Sequence, residues 1–297
     1  ADLPGEVPLT GNAGTVVLVH YDLWHRAMPN TSAQKRYMVK FLFTRLDEPT
    51  GPTWDTAGGD WPEADDPRRA MWQSLWDWHK GTEGQSINGG TIDALRDARE
   101  APGLQTAYHL DEQAIPALID LLADDDETIR RNAGYALTAI GKASVPALIE
   151  ACGDARDTLR AQAADALGDI GTRAAGAAPT LVGMLDDTAE EIRRNAADAL
   201  GVIGADDPNT AAALAPGLTD ADEWVRRNAA LALLRFGAKA APASADLVAA
   251  LDSDNRYVSA KAAQTLKCIN TPEAQEVLLD HLFTARWCPL TSAASGY

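Results

Sequence analysis

The strongest constraint on this chain is a phrase that it repeats. Thr128-Ile129-Arg130-Arg131-Asn132-Ala133 leads to Ala139-Ile140-Gly141, and the same order of residue types returns from Thr158-Leu159-Arg160 to Ile170-Gly171. It comes back from Glu191-Ile192-Arg193-Arg194-Asn195 to Ile203-Gly204, from Trp224-Val225-Arg226-Arg227-Asn228 to Phe236-Gly237, and weakly from Tyr257-Val258-Ser259 to Ile269-Asn270. The closing Gly or Asn falls at 141, 171, 204, 237 and 270, one step of 30 and three of 33. A fixed period of this length marks units that cannot bury their apolar face alone and do so by stacking. A partial earlier copy, Leu104 to Tyr108, precedes Ala114-Ile115-Pro116-Ala117-Leu118-Ile119, which matches Ser144 to Ile149.

Each unit reads as two helices. Ile115, Leu118, Ile119 and Leu122 recur at helical spacing in the first, and Ile129, Ala133, Ala136, Leu137 and Ile140 in the second. Between them an Asp with an acid three residues later (Asp124/Glu127, Asp154/Asp157, Asp187/Glu190, Asp220/Glu223) has capping-box spacing and is expected to start the second helix. The closing Gly supplies a left-handed residue. Small Ala at 133, 136, 163, 166, 196, 199, 229 and 232 lets neighbouring helices approach closely.

The period of 33 also suits ankyrin and tetratricopeptide arrays, but their T-P-L-H and W-x-x-L-G phrases are absent. The phrase P-A-L-I…D-x-x-E-x-[IV]-R-R-N-A-A-x-A-L-G-x-I-G resembles the short HEAT repeat of phycobilisome-lyase-like proteins over roughly residues 95–285. The resemblance is specific to fold and implies an α-solenoid; the partner expected for such an array is a protein on its concave face. A bilin-lyase-like subunit is one alternative that it carries.

Two arginine columns run through the repeats. Arg130, Arg160, Arg193 and Arg226 keep one position in four successive units, which predicts a structural ladder to the Asp of the inter-helix turn. Arg131, Arg194 and Arg227 form a second column, broken at Ala161 and opposite the buried positions of its helix. It is the candidate partner-binding stripe, against the plainer reading of a solvated face.

Residues 1–46 differ in character. Gly14 to His20 and Arg36 to Phe43 read as two β-rich strands around a Trp24-His25-Arg26 loop. Gly14, then Leu23-Trp24-His25, Asn30-Thr31-Ser32, and Arg36 eleven residues after His25 resemble the end of the phytanoyl-CoA dioxygenase barrel. The resemblance implies an iron(II)/2-oxoglutarate oxygenase on a double-stranded β-helix, with His25 as a metal ligand and Arg36 clamping the 2-oxoglutarate carboxylate. The other half of that site would precede residue 1, in a longer parent. His20-Tyr21-Asp22 sits too close to His25 on one strand to supply it, and neither Fe(II) nor 2-oxoglutarate is expected to bind this stretch tightly. Lys40 shares a strand face with Arg36, an awkward second cation.

The expected fold is therefore mainly α: a solenoid of helix pairs over 95–283, preceded by a small β fragment of a jelly-roll barrel over 1–46. A Pro/Gly/Asp-rich linker with a Trp-rich helix at 71–80 occupies 47–94, and a capping tail 284–297. The function expected is a protein-binding scaffold attached to an oxygenase. The alternative is a scaffold without catalysis. A formal net charge of −17 opposes a phosphate backbone, so nucleic acid is not an expected partner. No apolar run is long enough for a membrane span. Three cysteines, odd in number and unpaired in spacing, fit a reducing cytoplasm.

Overall fold

A computed structural model of the chain describes residues 51–52, 69–81, 91–95, 106–204 and 208–284, all within the unit Arg45–Tyr297. Helices α1 (Arg69–Lys80) and α2 (Ile92–Leu95) come first. Then first and second helices alternate: α3 (Ile115–Leu121), α4 (Glu127–Ile140), α5 (Val145–Ala151), α6 (Asp157–Ile170), α7 (Ala178–Met184) and α8 (Glu190–Ile203). The series continues through α9 (Pro208–Leu214), α10 (Glu223–Phe236), α11 (Ser244–Ala250), α12 (Arg256–Ile269) and α13 (Pro272–Thr284).

The second helices stack in order, α4 on α6, α6 on α8, α8 on α10 and α10 on α12. The first helices form a row behind them, α3 against α5, α7 against α9 and α11 against α13, with the short 3-10 segments Gly171–Ala177 and Ala215–Thr219 filling the junctions between. One apolar core runs between the rows. Leu118, Leu148, Leu181, Leu214 and Leu247 enter it from the first row, and Leu137, Leu167, Leu200, Leu233 and Leu266 from the second, all fully buried. The helical spacing of the sequence thus maps onto this seam. Pro116, Pro146 and Pro179 stand in the first turn of their helices, where a missing N–H costs nothing.

Close approach of the second row depends on glycine at two places. A Cβ on Gly168 would lie 3.1 Å from the Ala199 backbone, and one on Gly201 only 2.9 Å from that of Ala232. The closing residues all have positive φ, but only Gly204 and Asn270 are left-handed helical as expected, whereas Gly141, Gly171 and Gly237 combine it with ψ of −129°, −144° and −125°.

The start of the second helix differs from expectation. The N-caps are Asp126, Arg156, Ala189, Asp222 and Asn255, the first four of them two residues later than the Asp of the turn. Asp124, Asp154, Asp187 and Asp220 instead accept from the backbone N–H two residues on, at 2.8–3.0 Å, and so shape the turn. A short acid that can hydrogen-bond its own backbone suits either role, so spacing alone misplaced it.

The expected β fragment also needs correcting. The described residues are helices and turns, with no strand among them. The segments read as strands, with His25, Arg36 and Lys40, lie outside the described residues, as do Arg286 and Cys288 of the tail. The Trp-rich helix is present as α1, two residues longer at its start than expected.

Candidate docking surface

The two arginine columns part company in the structure. In the first, every guanidinium folds back over its own turn: Nη1 of Arg130, Arg160, Arg193 and Arg226 donates to two carbonyls apiece, at 2.7–3.2 Å. At two junctions the remaining edge reaches the next repeat. Arg160 grips Asp187 through Nε and Nη2 (3.1 and 3.2 Å), and Arg193 grips Asp220 (2.8 and 3.0 Å). Side chains on both sides are 15–17% exposed, so these forked pairs are well shielded. The ladder to the turn Asp is thereby present, and it crosses repeats.

In the second column each arginine has a different setting. Arg194 gives both prongs to Asp222 of the following repeat (2.7 and 2.6 Å), and that contact, with helix N–H groups, lowers the Asp222 carboxyl to about 2. Arg131 is half-buried on α4. Arg227 pairs with Glu223 at 2.5 Å and lies between two rings, its guanidinium carbon 4.8 Å from the Trp224 centroid and 4.4 Å from that of Tyr257. Arg256 also lies over the Tyr257 ring, at 4.8 Å from its centroid, and donates to its hydroxyl at 2.8 Å. That donation, with the charge of Arg256, lowers the phenol below its ordinary range.

This cluster is the most exposed aromatic surface of the second row. Trp224 is 54% and Tyr257 44% exposed, on adjacent helices. The residues at their position in the earlier repeats are Thr128, Thr158 and Glu191. An aromatic where its counterparts are polar was the available sequence signal, and the reading of apolar periodicity passed over it.

Two junctions back, the same face is acidic. Asp165 and Asp169 of α6 and Asp198 of α8 line a cavity of about 210 Å³ with Gly168, Asn195, Ala199 and Val202. Crowding in this trough and the neighbouring Asp165 and Asp198 charges push the Asp169 carboxyl up to about 6, although the residue keeps an exposed rim. Asp165 is raised by the same crowding, then by Asp198 and Glu191. Asn195 and Asn228 tie the row together beneath, donating to the carbonyls of Ala161 (2.9 Å) and Arg194 (3.1 Å) on the preceding second helix.

The model of HEAT repeats matches residues 92–168, 145–235 and 211–294, which together cover more than half of the chain. This chain belongs to the HEAT-repeat family. No curated protein matches it. Among solved structures, the CpcE and CpcF complex of phycocyanin lyase from Nostoc sp. PCC7120 is 24% identical with a TM-score of 0.46, covering 52% of this chain and 98% of that one. The archaeal HEAT-like repeats protein from Thermococcus onnurineus NA1 is 18% identical at a TM-score of 0.45, covering 68% and 93%. Computationally designed armadillo repeat proteins for modular peptide recognition are 23% identical at 0.44, covering 68% and 99%. These are likenesses of fold alone.

The oxygenase reading is corrected by the same findings. The family matched is HEAT repeats and not a dioxygenase, and among the described residues no group of three or more His, Cys, Asp or Glu could hold a metal ion. Fe(II) and 2-oxoglutarate are therefore withdrawn as cofactors; His25 and Arg36 themselves lie outside the described residues. The physical reason is the weakness of the signal: a few matched letters over some 35 residues do not carry a metal site whose other half is elsewhere. Among the described residues no helix is long and apolar enough to cross a membrane.

Proposed function

We propose that this HEAT array is a protein-interaction scaffold whose partner docks on the free face of the second helices. The observation that carries the reading is the Trp224–Arg227–Tyr257 stack, exposed on two adjacent helices of a rigid row. Trp, Tyr and Arg are the residues that most often dominate binding energy at protein interfaces. Holding the guanidinium between two rings removes rotamer freedom before a partner arrives, which lowers the cost of binding. Tight Gly and Ala contacts draw the second helices together, so this face is the concave side in our reading, the side on which repeat arrays bind.

Of the second-column arginines, Arg227 is the one we assign to docking. Arg194 has both prongs on Asp222, and changing it should act through the stack of repeats. We place the working domain at 95–283, with 47–94 as linker and 284–297 as a capping tail. A cytoplasmic setting fits the free thiols of Cys152 and Cys268.

The test is capture of a partner from the cells that make the protein, with the unaltered chain and with Trp224→Ala/Tyr257→Ala. The reading predicts a discrete partner retained by the first and lost by the second, while melting temperatures agree closely. Equal capture by both would remove the surface from consideration.

A further inference from the structure

The first arginine column contains its own template for a ligand. At two successive junctions the Nε/Nη2 edge of the arginine is closed by a carboxylate 27 residues ahead, Asp187 for Arg160 and Asp220 for Arg193. The residue 27 ahead of Arg226 is Ser253. Ser253 keeps one half of the aspartate's work, accepting from the backbone N–H two residues on at 3.3 Å. It cannot do the other half. Arg226 holds the Asp220 and Ala221 carbonyls through Nη1 (2.7 and 3.0 Å), as its counterparts hold theirs, but among the described residues its Nε/Nη2 edge meets no carboxylate. Arg130 also lacks the pair, for a different reason: the acid of the next turn, Asp154, is present but is gripped by Arg156 (2.9 and 3.1 Å). Only at the Arg226 junction has the acid itself been removed.

We propose that Arg226 receives a carboxylate side chain from an acidic segment of the partner protein. The place taken is the one that Asp187 and Asp220 fill inside the array. This rests on the scaffold reading and deepens it by naming partner chemistry. Ser253 lies four residues before Tyr257 and three before Arg256, so the open fork, two stacked guanidinium groups and two exposed rings share one junction, α10 with α12. The junction also carries Glu223, which pairs with Arg227, and the exposed Asp252 and Asp254 of the turn. A planar fork suits a carboxylate better than a point cation would, and the exposed rings at the same junction favour an apolar residue elsewhere in the segment.

The experiment uses the full chain and a fluorescein-labelled peptide of Glu, Leu and Gly, with its Gln counterpart as control. Fluorescence anisotropy gives affinity, and the Arg226 Nε–Hε resonance reports the site. The decisive variant is Ser253→Asp, which supplies the missing acid internally and leaves Arg226 in place; Ser253→Asn is its neutral control. The proposal expects the Glu peptide to bind and to shift that resonance, and S253D to weaken it about tenfold, the size of one charge-assisted contact. It also expects the Gln peptide to bind about as weakly, S253N to stay near the unaltered chain, and S253D to shift the resonance without peptide. Unchanged binding by S253D, equal losses in S253D and S253N, or no binding of the Glu peptide to the unaltered chain would each overturn it. None of these touches the scaffold reading, whose own test is partner capture through Trp224 and Tyr257.

Discussion

The α6–α8 junction and the α10–α12 junction are built from the same phrase and present opposite surfaces. In the earlier one Arg160 and Asp187 close on each other, and the face above carries Asp165, Asp169 and Asp198. In the later one the acid is Ser253, Arg226 is left with its edge unmatched, and the face carries Trp224, Arg227, Tyr257 and Arg256. The ladder is completed beside the acidic surface at α6–α8 and left open at α10–α12, where aromatic side chains emerge. In a repeat protein, departures from the repeated phrase are therefore more informative about function than the phrase itself, since the phrase is spent on holding neighbours together.

Breaking the ladder should separate the two junctions most sharply. Arg193→Ala leaves Asp220 shielded without its partner and should cost about 2–4 kcal/mol in urea unfolding. Arg226→Ala loses only its two carbonyl contacts and should cost about 1 kcal/mol. Equal losses would mean that the inter-repeat pairs add nothing. Next in size is close packing. Gly201→Ala drives a Cβ to 2.9 Å from the Ala232 backbone and should destabilise by about 1–3 kcal/mol. Gly134→Ala meets nothing within 4 Å and should stabilise by roughly 0.5–1 kcal/mol through helix propensity.

The smallest effect expected is one of pH, with opposite signs in the two kinds of carboxyl. Asp222 is held near 2 by Arg194, below an unfolded value of about 3.9. Its stabilisation is present above that value and is lost as pH falls toward 2. Asp169 is raised to about 6, so the folded state holds a proton that the unfolded chain has released, and stability falls as pH rises from about 4 to 6. Asp169→Asn should therefore gain melting temperature relative to the unaltered chain across that interval. The gain should be under about 1 kcal/mol, because an exposed rim lets solvent screen the group. A constant offset at all pH values would assign the effect to packing.

Much of the architecture was legible in the sequence, for a physical reason. Stacked units impose the same demands at the same places, so Leu137, Leu167, Leu200 and Leu233 had to recur, as did the glycines at positive φ and the arginine over each turn. The exact helix starts were not legible, because an Asp such as Asp187 serves a turn as readily as a cap. The proposed docking surface was half legible. Arg227 stood out by position, but its meaning depends on Trp224 and Tyr257 meeting across two helices, which pattern along the chain does not reveal. The oxygenase resemblance had no such internal check. It rested on a single pass of spaced letters around His25 and Arg36, where the repeats offered five.

The central claim is that the partner meets the second-helix face at the α10–α12 junction. A photo-crosslinking residue at position 224 tests it most directly, compared with one at Val248, which is exposed on the first-helix row. Irradiated in the cells that make the protein, position 224 should yield one discrete adduct and position 248 none. An adduct from position 248 alone would contradict the account.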